Sequence, residues 1–225
     1  MARKTKEETL ATRDGILDAA EACFHELGVA GTTLEKIGAR AGFSRGAVYW
    51  HFKNKAEVLA AVMQRCRVPF MQKLELASSS SRDTPVQDLR CVLYNAWREL
   101  EDSNRLRGLL EIMLRNDLSN ESQSLRDAHV DGFRDTHALM TSVFERAASL
   151  DQLRPGIDPE LAARMLHITM SGVLYTAIFH PGSVGMTRDG LIALDTTLAA
   201  LVRESHFRPG EIPPAPTGCP RAADV

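Results

Sequence analysis

The chain has 225 residues, of which 44% are hydrophobic and 6% aromatic, and its formal net charge is -2. The length allows a small domain joined to a larger one, and the many Ala, Leu, Glu and Arg residues predict an all-α protein of about nine helices. The net charge excludes a chain that is basic throughout. Residues 1–67, however, hold 11 Lys and Arg against 8 Asp and Glu, while the rest holds 16 against 21. The N-terminal region is therefore the part best suited to a nucleic acid.

Residues 1–8 contain Arg3, Lys4 and Lys6 and no apolar stretch, which predicts a disordered basic arm rather than a secretion signal. The longest apolar stretch, 165–179, is too short and too polar to cross a bilayer, so we expect a cytoplasmic protein with no membrane partner. The cysteines are far apart and form no C-x-x-C pair, which gives no support to a disulfide framework or a metal site. We therefore expect no metal and no cofactor.

Start and stop signals in residues 9–56 predict a compact set of short helices. The first runs from about Thr9 to Leu27, and the second opens at Thr32, which can form a capping box with Glu35. A third helix, capped by Ser44, follows the end of the second after only three residues, 42–44. This spacing is typical of a helix-turn-helix, so we predict that residues 9–56 form a DNA-binding domain.

The third helix is predicted to present an aromatic and polar outward face. Val48 and Phe52 fall on its inward side at helical spacing, and Arg45 in its first turn can donate two hydrogen bonds to guanine. Packing inside the protein is the simpler alternative for a single aromatic residue, but it explains the whole set poorly. The predicted DNA-binding residues are Thr33, Ser44, Arg45, Gly46, Tyr49, Trp50, His51 and Lys55.

Residues 12–63 resemble the DNA-binding region of TetR-type regulators. The segments TTLEKI at 32–37 and SRGAVYWHFKNK at 44–55 are especially similar to the AcrR branch, whose members repress multidrug efflux operons. The resemblance implies phosphate-backbone contacts from Thr33, Tyr49, His51 and Lys55. It implies that Arg45, Gly46 and Trp50 face the groove.

Residues 57–207 are predicted to form a ligand-binding and dimerisation domain, and the Pro-rich residues 208–225 a disordered tail. The fourth helix is expected to kink at Pro69, and a long seventh helix is expected over about 121–150. Helices near 158–180 and 188–204 carry much apolar surface. They could simply pack on each other, but the resemblance implies that they join two copies into a homodimer.

Methionine, aromatic and polar residues at core spacing predict an adaptable pocket for a small lipophilic ligand, placed where AcrR-like regulators bind drugs. Each of these residues alone is equally consistent with ordinary core packing. The predicted lining residues are Cys66, Phe70, Cys91, Tyr94, Met113, Asn116, Phe133, His137, Met140, His167 and Met170.

The chain lacks a P-loop, a G-x-G-x-x-G after a strand and an H-E-x-x-H motif, so we expect that it is not an enzyme. We expect a repressor that binds double-stranded operator DNA as a dimer, is released by a lipophilic small molecule and controls a multidrug efflux operon. Two alternatives stay open. One is a TetR-type regulator that senses an acyl chain, an autoinducer or a metabolite, and the other is a DNA-organising protein without an inducer.

Overall fold

The computed structural model describes residues 6–116 and 123–207, together with Pro209. Helices dominate this part of the chain, whose only strand-like feature is a single antiparallel bridge between Leu153 and Val202. The predicted all-α fold is therefore confirmed. The α-helices of the described residues are α1 (Lys6–Gly31), α2 (Leu34–Ala41), α3 (Arg45–His51), α4 (Lys55–Ser78), α5 (Pro85–Asp102), α6 (Asn104–Asn116), α7 (Gln123–Ser149), α8 (Pro159–Phe179) and α9 (Asp189–Leu201).

Helix α1 begins earlier than the sequence predicted. Residues 6–8, expected in a disordered arm, are helical. Glu7 and Glu8 lie in the first turn, where carboxylates are favoured by the positive end of the helix dipole. Helical geometry breaks at the predicted place, because Gly28 has a φ of 69°, but residues 29–31 after this kink are helical again. Residues 1–5 and the predicted tail, apart from Pro209, lie outside the described residues.

The cap of α2 differs from the predicted one by a single residue. Thr33, and not Thr32, is the N-cap, and its hydroxyl accepts from the backbone N–H of Lys36 at 3.3 Å. Thr32 is buried and donates to the carbonyl oxygens of Cys23 and Gly28. Thr32 thus binds carbonyl groups near the end of α1, while Thr33 caps α2.

The described residues form two compact units, and the first combines Met1–Arg67 with Gly108–Asp131. Its core is apolar, with Ile16 and Phe24 of α1, Ile37 of α2 and Val48 of α3 each at most 1% exposed. The unit extends beyond the predicted border at residue 57. The reason is that Val58, Leu59 and Val62 of α4 pack into the same core. Leu109 of α6 does so as well.

The second unit combines Val68–Arg107 with Gly132–Val225. Its described helices bury a larger core in which Trp97, Phe144 and Leu166 are at most 1% exposed. Helix α9 packs against α8 and α5. The start of α8 is confirmed, because Asp158 accepts from the backbone N–H of Leu161 at 2.8 Å, followed by a proline at the first helical position.

Helix α4 has Pro69 in its interior. Since proline has no backbone N–H, the carbonyl of Arg65 lacks its usual intrahelical partner at this point. Arg65 itself is tied to α1, because its guanidinium donates to Asp18 at 2.8 Å and to Glu21 at 3.1 Å. In α4, the turn that lacks a hydrogen bond at Pro69 therefore follows directly after Arg65, which is bound to α1.

Among the described helices, α8 is the one whose length and composition would allow a membrane span, with a mean hydropathy of 1.2 over its most apolar window. Packing covers a minor part of this window, of which 28% is buried, with Ala162, Leu166 and Met170 in the core of the second unit. The apolar residues on its other side, Ile168 among them, are exposed.

Candidate functional site

The turn between α2 and α3 is fixed by backbone geometry and by one hydroxyl. Gly42 ends α2 in the left-handed region at a φ of 71°, a conformation that suits glycine. Phe43 donates its N–H to the carbonyl of Gly38 at 3.0 Å. Ser44 then caps α3, and its hydroxyl accepts from the N–H of Ala47 at 3.2 Å. These short connections hold α3 at a defined angle to α2, as in a helix-turn-helix.

One face of α3 is buried and the opposite face is open. Val48 is fully buried, and Phe52, just after the helix, is 3% exposed. On the other face Trp50 is 71% exposed and Tyr49 42% exposed. Large aromatic side chains are rarely left in water on a short helix, so this face has the character of a binding surface.

Arg45 lies beside these aromatic residues with a largely exposed side chain. Its guanidinium carbon lies 5.2 Å from the centroid of the Tyr49 ring, a cation–π contact within the same helix face. His51 packs edge-to-face on Trp50, with ring centroids 4.6 Å apart. Next to Arg45, a Cβ atom at Gly46 would come no closer than 4.0 Å to any neighbour, so the surface above this glycine is open.

Two predicted phosphate contacts are placed at the starts of helices. Thr33 is exposed at the N-terminus of α2. Lys55 begins α4, but its ammonium group donates to the carbonyl of Val29 at 2.6 Å. Lysine at this position thus satisfies a carbonyl at the end of α1, an interaction that sequence reasoning missed because the two residues are 26 positions apart.

Glu35 of α2 was not predicted to bind DNA, and the sequence predicted for it only a role in a capping box. In the structure it lies beside Arg45 and Tyr49 of the predicted DNA-binding set. Its Oε1 atom is 3.4 Å from Nε of Arg45, and the Tyr49 hydroxyl donates to the same oxygen at 3.5 Å. The pKa of the Glu35 carboxyl is lowered by a hydrogen bond from its own backbone N–H and by another from the Thr33 hydroxyl. The carboxylate therefore contacts three of the predicted residues at once.

Residues 42–46 read Gly-Phe-Ser-Arg-Gly, which matches the G-x-S-x-G pattern of serine hydrolases. Sequence reasoning overlooked this match. A nucleophile elbow needs a strand before the serine and a helix after it. Here Ser44 follows a helix and caps another, so the match does not form that arrangement.

In the second unit, some predicted pocket residues form an aromatic cluster. The ring centroid of Phe133 is 4.3 Å from that of His167 and 5.9 Å from that of His137. The Nε2 atom of His137 is 3.1 Å from Oε1 of Glu160, while its buried Nδ1 atom has no hydrogen-bond partner in the described part of the chain. The cluster combines an aromatic surface with an unsatisfied polar atom.

The other predicted pocket residues are distributed unevenly. Those buried or packed in the second unit are Phe70, Cys91, Tyr94, Met140 and Met170. Cys66 instead packs against the core of the first unit. The side chains of Met113 and Asn116 lie outside the described residues. The structure thus brings together only part of the predicted set.

Trp97 is a further polar group in this core that sequence reasoning did not single out. It is 1% exposed, and its indole N–H donates to no acceptor among the described residues. The signal in the sequence was weak, because a tryptophan on the apolar side of a helix is usually ordinary core. Only the structure shows that the ring is buried with an unsatisfied donor.

Helices α8 and α9 share one more property, an exposed apolar surface. Ile168 of α8 is 60% exposed and Ile192 of α9 62% exposed, and Met165 and Tyr175 of α8 are exposed as well. At this spacing the α8 residues lie on one side of their helix, opposite its buried residues. Exposed apolar surface of this extent is typical of an interaction surface.

Comparison with known proteins agrees with this architecture. Residues 16–62 match the family pattern described as bacterial regulatory proteins, tetR family. The HTH-type transcriptional regulator TtgR of Pseudomonas putida is 32% identical over 202 residues, which cover 89% of this chain and 96% of that protein.

Solved structures extend the similarity to the whole fold. A structure of SmeT, the repressor of the Stenotrophomonas maltophilia multidrug efflux pump SmeDEF, is 56% identical with a TM-score of 0.82, covering 92% of this chain and 98% of the other. A complex of SmeT with triclosan is also 56% identical, with a TM-score of 0.85, covering 91% and 98%.

The protein belongs to the TetR family of transcriptional regulators. Members of this family are DNA-binding regulators rather than enzymes, and they bind operator DNA and ligands and act as dimers. The resemblance of residues 12–63 to the TetR family is therefore confirmed. The predicted similarity to regulators of multidrug efflux is confirmed as well, because the relatives are such regulators.

Proposed function

We propose that this protein is a dimeric repressor of a multidrug efflux operon that leaves its operator when a lipophilic small molecule binds. The observation that carries the proposal is the open face of α3, where Arg45, Tyr49 and Trp50 surround Gly46. The efflux assignment is supported by SmeT, described as the repressor of a multidrug efflux pump.

On this proposal the α3 face enters the major groove of the operator. Arg45 donates to O6 and N7 of a guanine, and the open space at Gly46 lets the backbone approach the base edges. Trp50 packs against sugar and base edges beside it. The groove-facing set of the DNA-binding residues is Arg45, Gly46 and Trp50.

The phosphate contacts come from residues around this face. Thr33 and Lys55 lie at the starts of α2 and α4, where free backbone N–H groups and the helix dipole favour an anion. Tyr49 and His51 flank the groove-facing residues on α3. Lys55 exchanges its contact with the Val29 carbonyl for a phosphate oxygen, or holds that carbonyl while its charge attracts the phosphate.

We place the homodimer interface on the exposed apolar sides of α8 and α9. Ile168, Tyr175 and Ile192 leave apolar surface in water in a single copy. A second copy would cover it in a four-helix bundle, the arrangement that a twofold axis gives to two such helices. The dimer then presents two α3 helices to one operator, as helix-turn-helix dimers do with half-sites one helical turn apart.

We place the ligand in the second unit, among the predicted residues that lie there. Phe133, His137 and His167 give an aromatic surface, and the unsatisfied atoms of His137 and Trp97 could each bind a polar group of the ligand. Triclosan is an apt first probe, since a SmeT complex contains it. Cys66, Met113 and Asn116 belong to the stretches of the first unit and have no part in this placement.

The coupling between ligand and DNA is proposed to use α4. The Arg65 clamp holds the first part of the helix to α1, and the missing hydrogen bond at Pro69 permits bending beyond the clamp. A ligand that favours a bent α4 disfavours the DNA-binding arrangement. Ligand and operator must then weaken each other's binding by the same factor.

The test of this function is a titration of a labelled DNA duplex, taken from the region upstream of the gene, with purified protein. We expect saturable binding that random-sequence competitor does not remove, and release on addition of triclosan. Binding without sequence preference would contradict the repressor assignment. Preference for the upstream DNA without release by any lipophilic drug, but with release by an acyl or autoinducer compound, would move the protein to another regulatory pathway.

A further inference from the structure

The carboxylate of Glu35 occupies an unusual place for an acidic group, in the middle of a surface proposed to bind phosphates and base edges. It contacts Arg45 through Nε at 3.4 Å and accepts from the Tyr49 hydroxyl at 3.5 Å. Both partners are on α3, whereas Glu35 is on α2, so the contacts cross the helix-turn-helix. Capping α2 alone does not require either of them.

The negative charge of Glu35 has opposite effects on the two kinds of DNA contact. Phosphates are repelled by the carboxylate wherever the protein binds, and an arginine held by a carboxylate is less free to reach a phosphate. The contact with Arg45 uses Nε, however, which leaves the two terminal nitrogens of the guanidinium to donate to O6 and N7 of guanine. Held in this way, Arg45 loses less conformational freedom when it reaches a guanine.

We propose that Glu35 is a specificity-determining residue, which positions Arg45 for guanine and keeps it from the phosphates of DNA without the operator sequence. The proposal rests on the proposed function, since it needs α3 to read an operator. Its effect is on the ratio of affinities for operator and random DNA rather than on operator affinity alone.

The experiment measures binding of an operator duplex and a random-sequence duplex of equal length by fluorescence anisotropy, at several salt concentrations. The test variant is Glu35→Gln, because glutamine keeps the size of the side chain and an oxygen that can accept a hydrogen bond while removing the charge. We expect about fivefold tighter binding to random DNA and less than about a twofold change for the operator, so that the ratio of affinities falls.

Glu26→Gln is the matched control. Glu26 is also exposed and accepts from an arginine, with two hydrogen bonds of 2.6 and 2.7 Å from Arg40, but it contacts none of the predicted DNA-binding residues in the described part of the chain. Removing its charge should change both affinities by a similar factor. If Glu35→Gln did the same, or changed neither affinity, Glu35 would have no role in specificity.

A second comparison tests whether the effect passes through Arg45. In an Arg45→Ala background, Glu35→Gln should no longer change the ratio of affinities, because the residue that it positions is missing. An undiminished effect in that background would overturn the proposal. If wild-type protein itself does not distinguish the two duplexes, the proposed function fails; if it does and Glu35→Gln leaves the ratio unchanged, only the role of Glu35 fails.

Discussion

Arg90 of α5 and Asp195 of α9 form a two-pronged ion pair inside the second unit, with Nε to Oδ1 at 2.5 Å and Nη2 to Oδ2 at 2.9 Å. The Arg90 side chain is fully buried. The pair joins α5 to one of the two helices that carry the proposed dimer interface. It thereby fixes α9 from its inner side.

Removing one partner of this pair is predicted to destabilise the folded protein strongly, because the other charge stays buried without compensation. Asp195→Asn should lower the free energy of unfolding by about 3–5 kcal/mol. The double variant Arg90→Met with Asp195→Leu should recover most of this loss, since it removes both charges. Urea unfolding followed by circular dichroism, at one fixed protein concentration, measures both effects. Equal stability of Asp195→Asn and wild type would contradict the buried pair.

Two glycines of the helix-turn-helix predict opposite outcomes of the same substitution. In Gly38→Ala the new Cβ atom would lie 3.1 Å from Cγ2 of Val48 and 3.3 Å from the carbonyl oxygen of Phe43. We expect a loss of about 1–3 kcal/mol in stability from this overpacking. A melting temperature as high as that of wild type would show that the α2–α3 contact is looser than in this structure.

Gly46→Ala, in contrast, meets nothing closer than 4.0 Å and should fold normally, with a small gain from helix propensity. Operator affinity should nevertheless fall by about tenfold if the backbone approaches the bases at this point. Anisotropy titration beside a thermal melt separates the two effects. Unchanged operator binding in Gly46→Ala would remove this glycine from the groove-facing set.

How well the sequence predicted the fold depended on how local each signal was. Caps and stops act within one helical turn, and the structure places Ser44 as the cap of α3 and the start of α8 near residue 158, as predicted. Interactions between distant residues left no pattern that could be recognised. The Arg90–Asp195 pair spans 105 positions, and no periodicity links an arginine on one helix to an aspartate so far along the chain.

The exposed face of α3 was predicted better than the grouping of the proposed pocket residues, for the same reason. The exposed face of α3 follows from helical spacing, with Val48 inward and Trp50 outward. A pocket is built from residues of several helices, and each of them looks like ordinary core in isolation. Glu35 shows an intermediate case, since its bonds to its own backbone N–H and to Thr33 are local but its contact with Arg45 depends on the angle between α2 and α3.

The proposed dimer interface predicts that charged substitutions on α8 and α9 convert the dimer into monomers. Ile168→Glu combined with Ile192→Glu would bury unpaired charges between two copies, so the protein should become monomeric. Leu76→Glu is the matched control, since Leu76 on α4 is 59% exposed, about as much as the two isoleucines. Sedimentation velocity distinguishes the forms. A double variant that stays dimeric would place the interface elsewhere.

The reactivity of the Cys91 thiol is predicted to depend on pH. Burial, with a smaller contribution from the charge of Asp88, raises the pKa of its thiol to about 11. At neutral pH its thiolate fraction is then roughly a hundredfold or more below that of an ordinary thiol. In native protein, iodoacetamide should modify Cys91 very slowly and faster as the pH approaches 11, whereas in urea the reaction should proceed normally at pH 8. Mass spectrometry of peptides measures the rates.

The same pKa has a consequence for stability, and its sign follows from proton binding. The folded state keeps the Cys91 proton to a higher pH than the unfolded state does, so this residue stabilises the fold below the pKa of an unfolded thiol. That contribution is lost as the pH rises toward about 11. Cys91→Ala should show a smaller decrease in stability over this alkaline range. An identical decrease in the variant would contradict the assignment.

The two tryptophans of the chain lie in different compact units and in opposite environments, Trp50 in the first and largely exposed, Trp97 in the second and buried. Their intrinsic fluorescence therefore contains two separable signals, one that iodide can quench and one that it cannot reach. A Trp97→Phe variant emits only from the proposed DNA surface, and a Trp50→Phe variant only from the core beside the proposed pocket. Unlabelled protein can thus report operator binding and drug binding as two distinct optical changes, so the order of the two events can be followed in a single solution.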